Sequence, residues 1–427
     1  MKNISFLFYG SIFLGIFIWF FFFIVTPIEV KNKVSAFTIL FISLSYISLI
    51  LGFRFASTIS SRRLNSLRLF SKLEEKRYLI LKVLVGLVLL SFLLRYFDLF
   101  NNRGVKFANA IHINKYNAAK PENFSLLFAF LSAFRVLFFV PLIFYFANST
   151  NKKKTLFICV FLFLLPFLEA YLRGSRRLVF ESLGILTIIL LIFNKINFKS
   201  FKTLIILISI IIVLFSFSLS VLKSRISDNN TQFYYEIFNS QYNELTPAKE
   251  EAIKFIQNNN NILGKAFFSE IHLGQYITHG VFEMDYMIST HPKHMYGKFN
   301  FYSFVKFLNK LGMSNIPLSS INNPTKRITY ITFFGGMFLD FGWFAIPLMF
   351  LFGIFQQKLL SSSKHNFILI PLSILFIFSN IFMLIFNFIR TQFLFSFTIY
   401  LVFICIVFLV FKRKNNNLFC KTNNFCL

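Results

Sequence analysis

The chain has 427 residues, of which 56% are hydrophobic and 20% aromatic, with 67 Phe, only 14% charged residues and a mean hydropathy of +0.67. No soluble core absorbs that much apolar side chain, so composition excludes a water-soluble globular fold and specifies a polytopic membrane protein. The formal charge of +28 would point to nucleic acid in a soluble protein. Here most Lys and Arg lie in short loops beside apolar runs, where they fix orientation and meet anionic lipid, and no nucleic-acid partner is expected.

Residues 4–25 follow Lys2, are apolar throughout and lack a small-residue cleavage site, so they read as an uncleaved first span. A second span is expected at 34–53 and a third at 78–97. The loop between them carries Arg54, Arg62, Arg63, Arg68, Lys72, Lys76 and Arg77, which the positive-inside rule puts in the cytoplasm together with the N-terminus. Further spans are expected at 124–146, 156–172, 178–193, 203–222, 329–352, 367–388 and 393–411, about ten crossings in all. Lys152–Lys154, Lys195, Lys199, Lys202, Lys358, Lys364 and the basic run 412–414 then all fall inside, in agreement with that count. The resulting division is 1–222 as seven spans, 223–328 as one long extracytoplasmic loop, 329–411 as three spans and 412–427 as a cytoplasmic tail. The loop holds eight of the 16 acidic residues and four of the 6 His, enough chain for short amphipathic helices or a small lid, with Asn258 to Asn261 marking a turn inside it. Its lack of Cys indicates neither a disulfide framework nor a thiolate metal site.

The stretch that asks most for a reason is Tyr171-Leu172-Arg173-Gly174-Ser175-Arg176-Arg177, between two runs barely long enough to cross. On this topology the turn lies outside, where Arg is scarce, and at membrane level a cation is costly without an anion or an aqueous cavity. Guanidiniums grip phosphate oxygens bidentately, so Arg173, Arg176 and Arg177 are candidates for surrounding a lipid diphosphate. Plain snorkelling anchors at the span ends are the simpler alternative. Glu169, one turn earlier, either orients the cluster or merely compensates its charge. Arg135 and Asp340 both read as mid-span, at similar depth and able to pair, so they are expected either to line or support the site or to form a purely structural ion pair. Arg225 and Arg327, flanking the long loop, either meet the same headgroup or anchor the interface.

Within the loop, Gln275-Tyr276-Ile277-Thr278-His279-Gly280 precedes Glu283 and Asp285. His279 carries an imidazole, a side chain suited to removal of a proton from a sugar hydroxyl; a solvated polar loop is the alternative. Glu283 and Asp285 also echo a cation-holding carboxylate pair, but two acids one apart are common, and His291 and His294 lack nearby ligands, so no metal is expected.

The Arg-Gly-Ser-Arg-Arg turn, the long late loop and the stretch Thr329-Tyr330-Ile331-Thr332-Phe333-Phe334-Gly335-Gly336-Met337-Phe338-Leu339-Asp340-Phe341-Gly342 together resemble the O-antigen polymerases, the Wzy-type oligosaccharide repeat-unit polymerases. Arg173 and Gly184 fit an Arg-x10-Gly pattern found in some members; the second copy expected in the long loop is absent. The resemblance implies an all-α, GT-C-like membrane glycosyltransferase of the bacterial cytoplasmic (inner) membrane, with both termini cytoplasmic. Its substrates would be undecaprenyl-diphosphate-linked oligosaccharides, its surroundings membrane lipids, and a chain-length regulator protein a partner. Arg173, Arg176 and Arg177, with Arg225 and Arg327, would stabilise the leaving diphosphate, and His279, or failing it Asp285 or Glu283, would take the acceptor proton. No cofactor or nucleotide sugar is implied, in keeping with the absence of a glycine-rich phosphate loop. An O-antigen ligase would use similar chemistry on lipid A-core; a flippase or transporter would string charges through its spans instead.

Overall fold

The computed structural model describes residues 4–59, 76–107, 109, 111–118, 126–148, 152–196, 241–259, 262–290, 293–322 and 330–422. Among these the chain is helical without a strand; one isolated bridge joins Ile28 to Ala248. In chain order the helices are α1 (Ile4–Val25), α2 (Ala36–Ile59), α3 (Arg77–Phe97), α4 (Ile111–Ala118), α5 (Leu126–Ala133), α6 (Val140–Ala147), α7 (Lys153–Arg173), α8 (Arg176–Ile192), α9 (Glu250–Asn258), α10 (Ile262–Thr290), α11 (Tyr302–Lys310), α12 (Leu318–Asn322), α13 (Phe333–Phe341), α14 (Ala345–Ser363), α15 (Ile370–Phe382) and α16 (Leu394–Thr422).

Five described stretches are long and apolar enough to cross a membrane: α1, α2, α3, α7 and Phe333–Ser363. A sixth is added if α5 and α6, bent by 51°, count as one. Large apolar side chains on these helices, among them Phe13, Phe17 and Phe157, face outward, as lipid contact requires and water would not allow. The chain is thus an all-α membrane protein. The expected span at 203–222 lies outside the described residues.

Two expected spans have a different internal shape. Phe333–Ser363 is a hairpin. The rings of Phe333 and Phe352 are 5.9 Å apart, whereas nineteen residues of straight helix would separate them by about 28 Å. Helix α2 serves as a ruler: Phe334 of α13 packs on Tyr46 and Phe338 on Phe41, so α13 climbs toward the start of α2, where Trp343 meets Phe37. The chain reverses at Gly342, φ +57°, where a Cβ would stand 2.7 Å from His294 Nε2, and α14 runs back alongside α2. Ser48 Oγ donates to the Ile346 carbonyl at 2.7 Å, and Gly52 and Gly353 let the two backbones approach until an added Cβ would sit 2.0 and 2.1 Å from the facing carbonyl oxygens. The expected eighth span at 329–352 is therefore a half-depth helix folded onto a crossing one. The expected fourth span breaks at 134–139, just before Pro141, which has no N–H to continue the ladder.

The segment after 241 is not a detached lid. Helix α10 lies against α1, α2 and α13, and its Ile277, Val281, Phe282, Met284 and Met287 belong to the same buried apolar core as the spans. Helices α9 and α10 end and begin on either side of the expected asparagine turn. A buried polar triad within the bundle, Gln356 with Asn380 at 2.9 and 3.1 Å and Asn380 with Ser11 at 3.3 Å, joins α14, α15 and α1.

Candidate functional site

Helix α7 stops at Gly174, which takes a left-handed conformation, φ 59°. The Gly174 N–H donates to the Tyr171 carbonyl at 3.2 Å and the Ser175 N–H to Ala170 at 2.8 Å. This is a Schellman closure, and it lets α8 begin two residues later. Arg173, the last helical residue, reaches back one turn to Glu169 at 2.9 Å. Glu169 is buried and also receives Arg95 of α3 at 3.1 Å, with Arg135 of the α5–α6 break at 3.8 Å. Arg95 continues to Asp98 at 2.8 Å, and the same carboxylate oxygen accepts Arg103 at 2.7 Å. Arg103 in turn donates to the Ala118 carbonyl at 2.7 Å and so holds the 103–118 segment over the end of α7. Four guanidiniums thus surround two carboxylates. Arg95 and Arg103 are buried in the cluster, while the side chains of Arg173 and Arg135 keep 38% and 24% of their surface exposed.

Arg177 belongs to a different neighbourhood. It pairs with Glu181 one turn along α8, and its guanidinium carbon lies 5.4 Å from the Phe386 ring centroid, within electrostatic reach of Tyr276 and Tyr330. The tight two-residue turn thus gives Arg173 and Arg177 different ion-pair partners, Glu169 and Glu181. Arg176 opens α8, and its side chain is outside those described; Arg225 and Arg327 lie outside the described residues.

The tyrosines that Arg177 feels bring in α10. His272, Tyr276, His279 and Glu283 recur at helical spacing and form one stripe. Tyr242 lies against it, its ring 5.4 Å from His272 and 5.1 Å from His279, and its hydroxyl donates to the Tyr330 hydroxyl at 2.9 Å. Tyr330 also packs edge-on to Tyr276 at 4.8 Å. His279 Nε2 is 3.4 Å from a Glu283 oxygen, and both side chains are 1% exposed. The expected solvated loop is thus a packed helix face: His279 and Glu283 at the buried end, His272 and Tyr276 at the accessible end. Sequence gives no site role to His272 or Tyr242, and Tyr330 enters it only within the stretch 329–342. The four-then-three spacing of His272, Tyr276 and His279 was the signal available for the first of them.

Other expected residues have local duties. Asp285 accepts from the Ser35 N–H at 3.1 Å, the Ser35 hydroxyl, and Thr38 Oγ1 at 2.6 Å, so it caps the positive end of α2 rather than joining His279. Asp340 sits at the hairpin apex, not mid-span, and accepts from the backbone N–H groups of Phe299 and Asn300 at 2.9 and 2.8 Å and from the Asn300 side chain at 2.7 Å. The pairing with Arg135 that a straight span allows is replaced by Arg135–Glu169, because the reversal at Gly342 carries Asp340 to the surface end of α13. Asn300 receives Asn387 at 2.6 Å, and the Asn387 side chain accepts from the Arg390 N–H at 3.0 Å. Arg390, a half-buried cation between α15 and α16, lies 3.8 Å above the Phe299 ring, and burial lowers its pKa to about 10, leaving it charged at neutral pH. Among the described residues no three His, Cys, Asp or Glu side chains come together as a metal ion would require.

Comparison of the chain with family models, with curated proteins and with solved structures finds no match.

Proposed function

We propose that the chain joins lipid-diphosphate-linked oligosaccharide repeat units at the outer face of a bacterial cytoplasmic membrane, the reaction its sequence resemblance implies. The observation that supports it most is the neighbourhood of Arg177: a partly exposed guanidinium within electrostatic reach of Tyr276 and Tyr330, which belong to a ring cluster whose Tyr242 also packs on His279 of the His–Glu pair. An acceptor hydroxyl attacks the anomeric carbon of the growing glycan, the bond from that carbon to the diphosphate oxygen breaks, and undecaprenyl diphosphate leaves. Arg177 stabilises the charge gathering on the leaving group, as preorganised donors do for an oxyanion. The acceptor proton passes to His279, whose imidazolium Glu283 stabilises. Tyr276, half-buried at the accessible end of the stripe, offers its ring to the sugars. The reading carries with it ten crossings in a GT-C-like arrangement, cytoplasmic termini and association with a chain-length regulator.

The test is surface-polysaccharide analysis by gel in a strain lacking this gene and complemented with variants. The null strain is expected to show core with a single repeat unit; bare core would indicate a ligase or a flippase instead. His279→Ala is expected to cut polymer formation by roughly 10²- to 10⁴-fold with the protein still inserted. A normal ladder from that variant overturns the assignment of the base.

A further inference from the structure

Between Asp285 and Asp340 the sequence has no acidic residue, while Lys293, Lys298, Lys306, Lys310, Lys326 and Arg327 all fall there. Helix α11 lies in the middle of this stretch and has three distinct sides. Phe304, Phe307 and Leu311, with Phe301 just before the helix, recur at three- and four-residue spacing and are exposed, Phe304 by 47% and Phe307 by 51%. Val305 is buried and Tyr302 half-buried on a second side; the Arg390 guanidinium is 5.1 Å from the Tyr302 ring centroid. Lys306 and Lys310, one turn apart, are exposed on the third.

The level of this helix is fixed by what it hangs from. The Met295 and Tyr296 N–H groups donate to the Leu339 and Asp340 carbonyls at 2.9 and 3.0 Å, and the Asp340 carboxylate holds Phe299 and Asn300. The 295–300 strap is therefore tied to the apex of the α13–α14 hairpin. That apex also carries Trp343 and Phe344, and it adjoins Phe37 at the start of α2; all three are exposed. Exposed aromatic rings at the end of a span mark the membrane–water boundary. A helix at that level with one bare apolar side and one cationic side has the form of an in-plane interfacial helix.

We infer that α11 and its strap are a lipid-docking surface for an anionic bilayer interface. Phe301, Phe304, Phe307 and Leu311 enter the acyl boundary, and Lys298, Lys306 and Lys310 meet acidic headgroups. The occupant is assigned by charge: a stretch that is basic throughout complements an anionic surface. Through Asp340, and through Asn300, Asn387 and Arg390, the docked helix braces both the hairpin apex and the α15–α16 break. This inference does not rest on the proposed reaction.

The experiment uses the full chain in vesicles, with Cys405, Cys420 and Cys426 replaced by Ser and the buried Cys159 retained. Nitroxide labels are placed singly through Phe304→Cys, Lys306→Cys, Phe307→Cys and Lys310→Cys, and collision with oxygen and with a water-soluble nickel chelate is measured. The oxygen-to-nickel ratio is expected to be several-fold higher at 304 and 307 than at 306 and 310. Raising phosphatidylglycerol from none to about 30 mol% should raise it further at 307. Adding Lys306→Glu and Lys310→Glu to the 307 variant should remove that dependence. Three results would overturn the inference: nickel access at all four positions, shielding of all four from both reagents, or a lipid-facing pattern indifferent to phosphatidylglycerol. The first leaves the face in water, the second covers it with protein, and the third denies the anionic preference.

Discussion

Two charged regions lie at the turn between α7 and α8, and they are built on opposite plans. Around Glu169 the charges are closed in: two carboxylates are buried among four guanidiniums, and the Asp98 oxygen that receives Arg95 also receives Arg103. Around Arg177 there is the ion pair with Glu181, with Phe386 beneath the guanidinium and Tyr276 and Tyr330 within electrostatic reach. The difference teaches that a cluster rich in arginine is not thereby a binding site. Arg95 and Arg103, buried with their donors on carboxylates, brace helices; Arg177, partly exposed with Glu181 as its carboxylate partner and a ring beneath it, can meet a ligand.

The sharpest way to break this comparison is Glu169→Ala. It leaves Arg95 with Asp98 alone and takes the shared carboxylate from Arg135 and Arg173, and loss of one member of a buried charge network costs roughly 3–5 kcal/mol. The variant should fail to give a monodisperse peak in detergent, or should melt far below the parent chain. An unchanged melting temperature would mean that the cluster braces nothing.

Arg177→Lys probes the other region. It keeps a cation opposite Glu181, so the fold should survive with little change in melting temperature. The planar fork that takes two phosphate oxygens at once is lost, and polymer yield should fall about tenfold or more. If yield and stability fall together, Arg177 belongs with the braces and the distinction between the two regions disappears.

How far these regions could be read in sequence follows from the range of each interaction. Glu169–Arg173 was legible because both lie one turn apart on a single helix. Composition likewise made the lipid-facing helices plain, since Phe13 and Phe157 need only lipid around them. The Asp340 environment was not legible: a span read straight through Gly342 puts that carboxylate at mid-membrane, and only the reversal there delivers it to the backbone of Phe299 and Asn300. Arg95, Asp98 and Arg103 were passed over because their meeting with Glu169 depends on α3 lying beside α7, which no local spacing announces. The His272–Glu283 stripe was hidden for another reason. Its residues alternate with enough polar ones to resemble a solvated loop until α1 and α13 are packed against it.

Tyr330→Phe tests whether the hydroxyl pair with Tyr242 belongs to the open region. Removal of that oxygen should cost about 1 kcal/mol or less in stability, the usual net worth of one hydrogen bond. Polymer yield should drop several-fold if the pair links Arg177 to His279. A full-strength ladder from this variant would separate the arginine from the histidine and leave two unconnected half-sites.

The smallest effect expected is at Glu270, outside the spans, which inverts the situation of Glu169. It has Thr26 Oγ1 at 3.2 Å as its hydrogen-bond partner, and half-burial raises its pKa above the ordinary carboxylate value, partly offset by that hydrogen bond. A carboxyl whose pKa is raised by folding favours the folded state while protonated. Its contribution is therefore complete at acid pH, below the unfolded value near 4.3, and is lost as pH rises through the higher folded one. Glu270→Gln mimics the protonated form. The variant should match the parent chain in melting temperature at about pH 4 and exceed it slightly at about pH 7.5, by an amount that solvent exposure keeps small. Equal melting temperatures at both pH values would mean that solvent screens the carboxylate fully. A lower value at neutral pH would mean that the charge is held by a cation, which would place Glu270 on the same closed plan as Glu169.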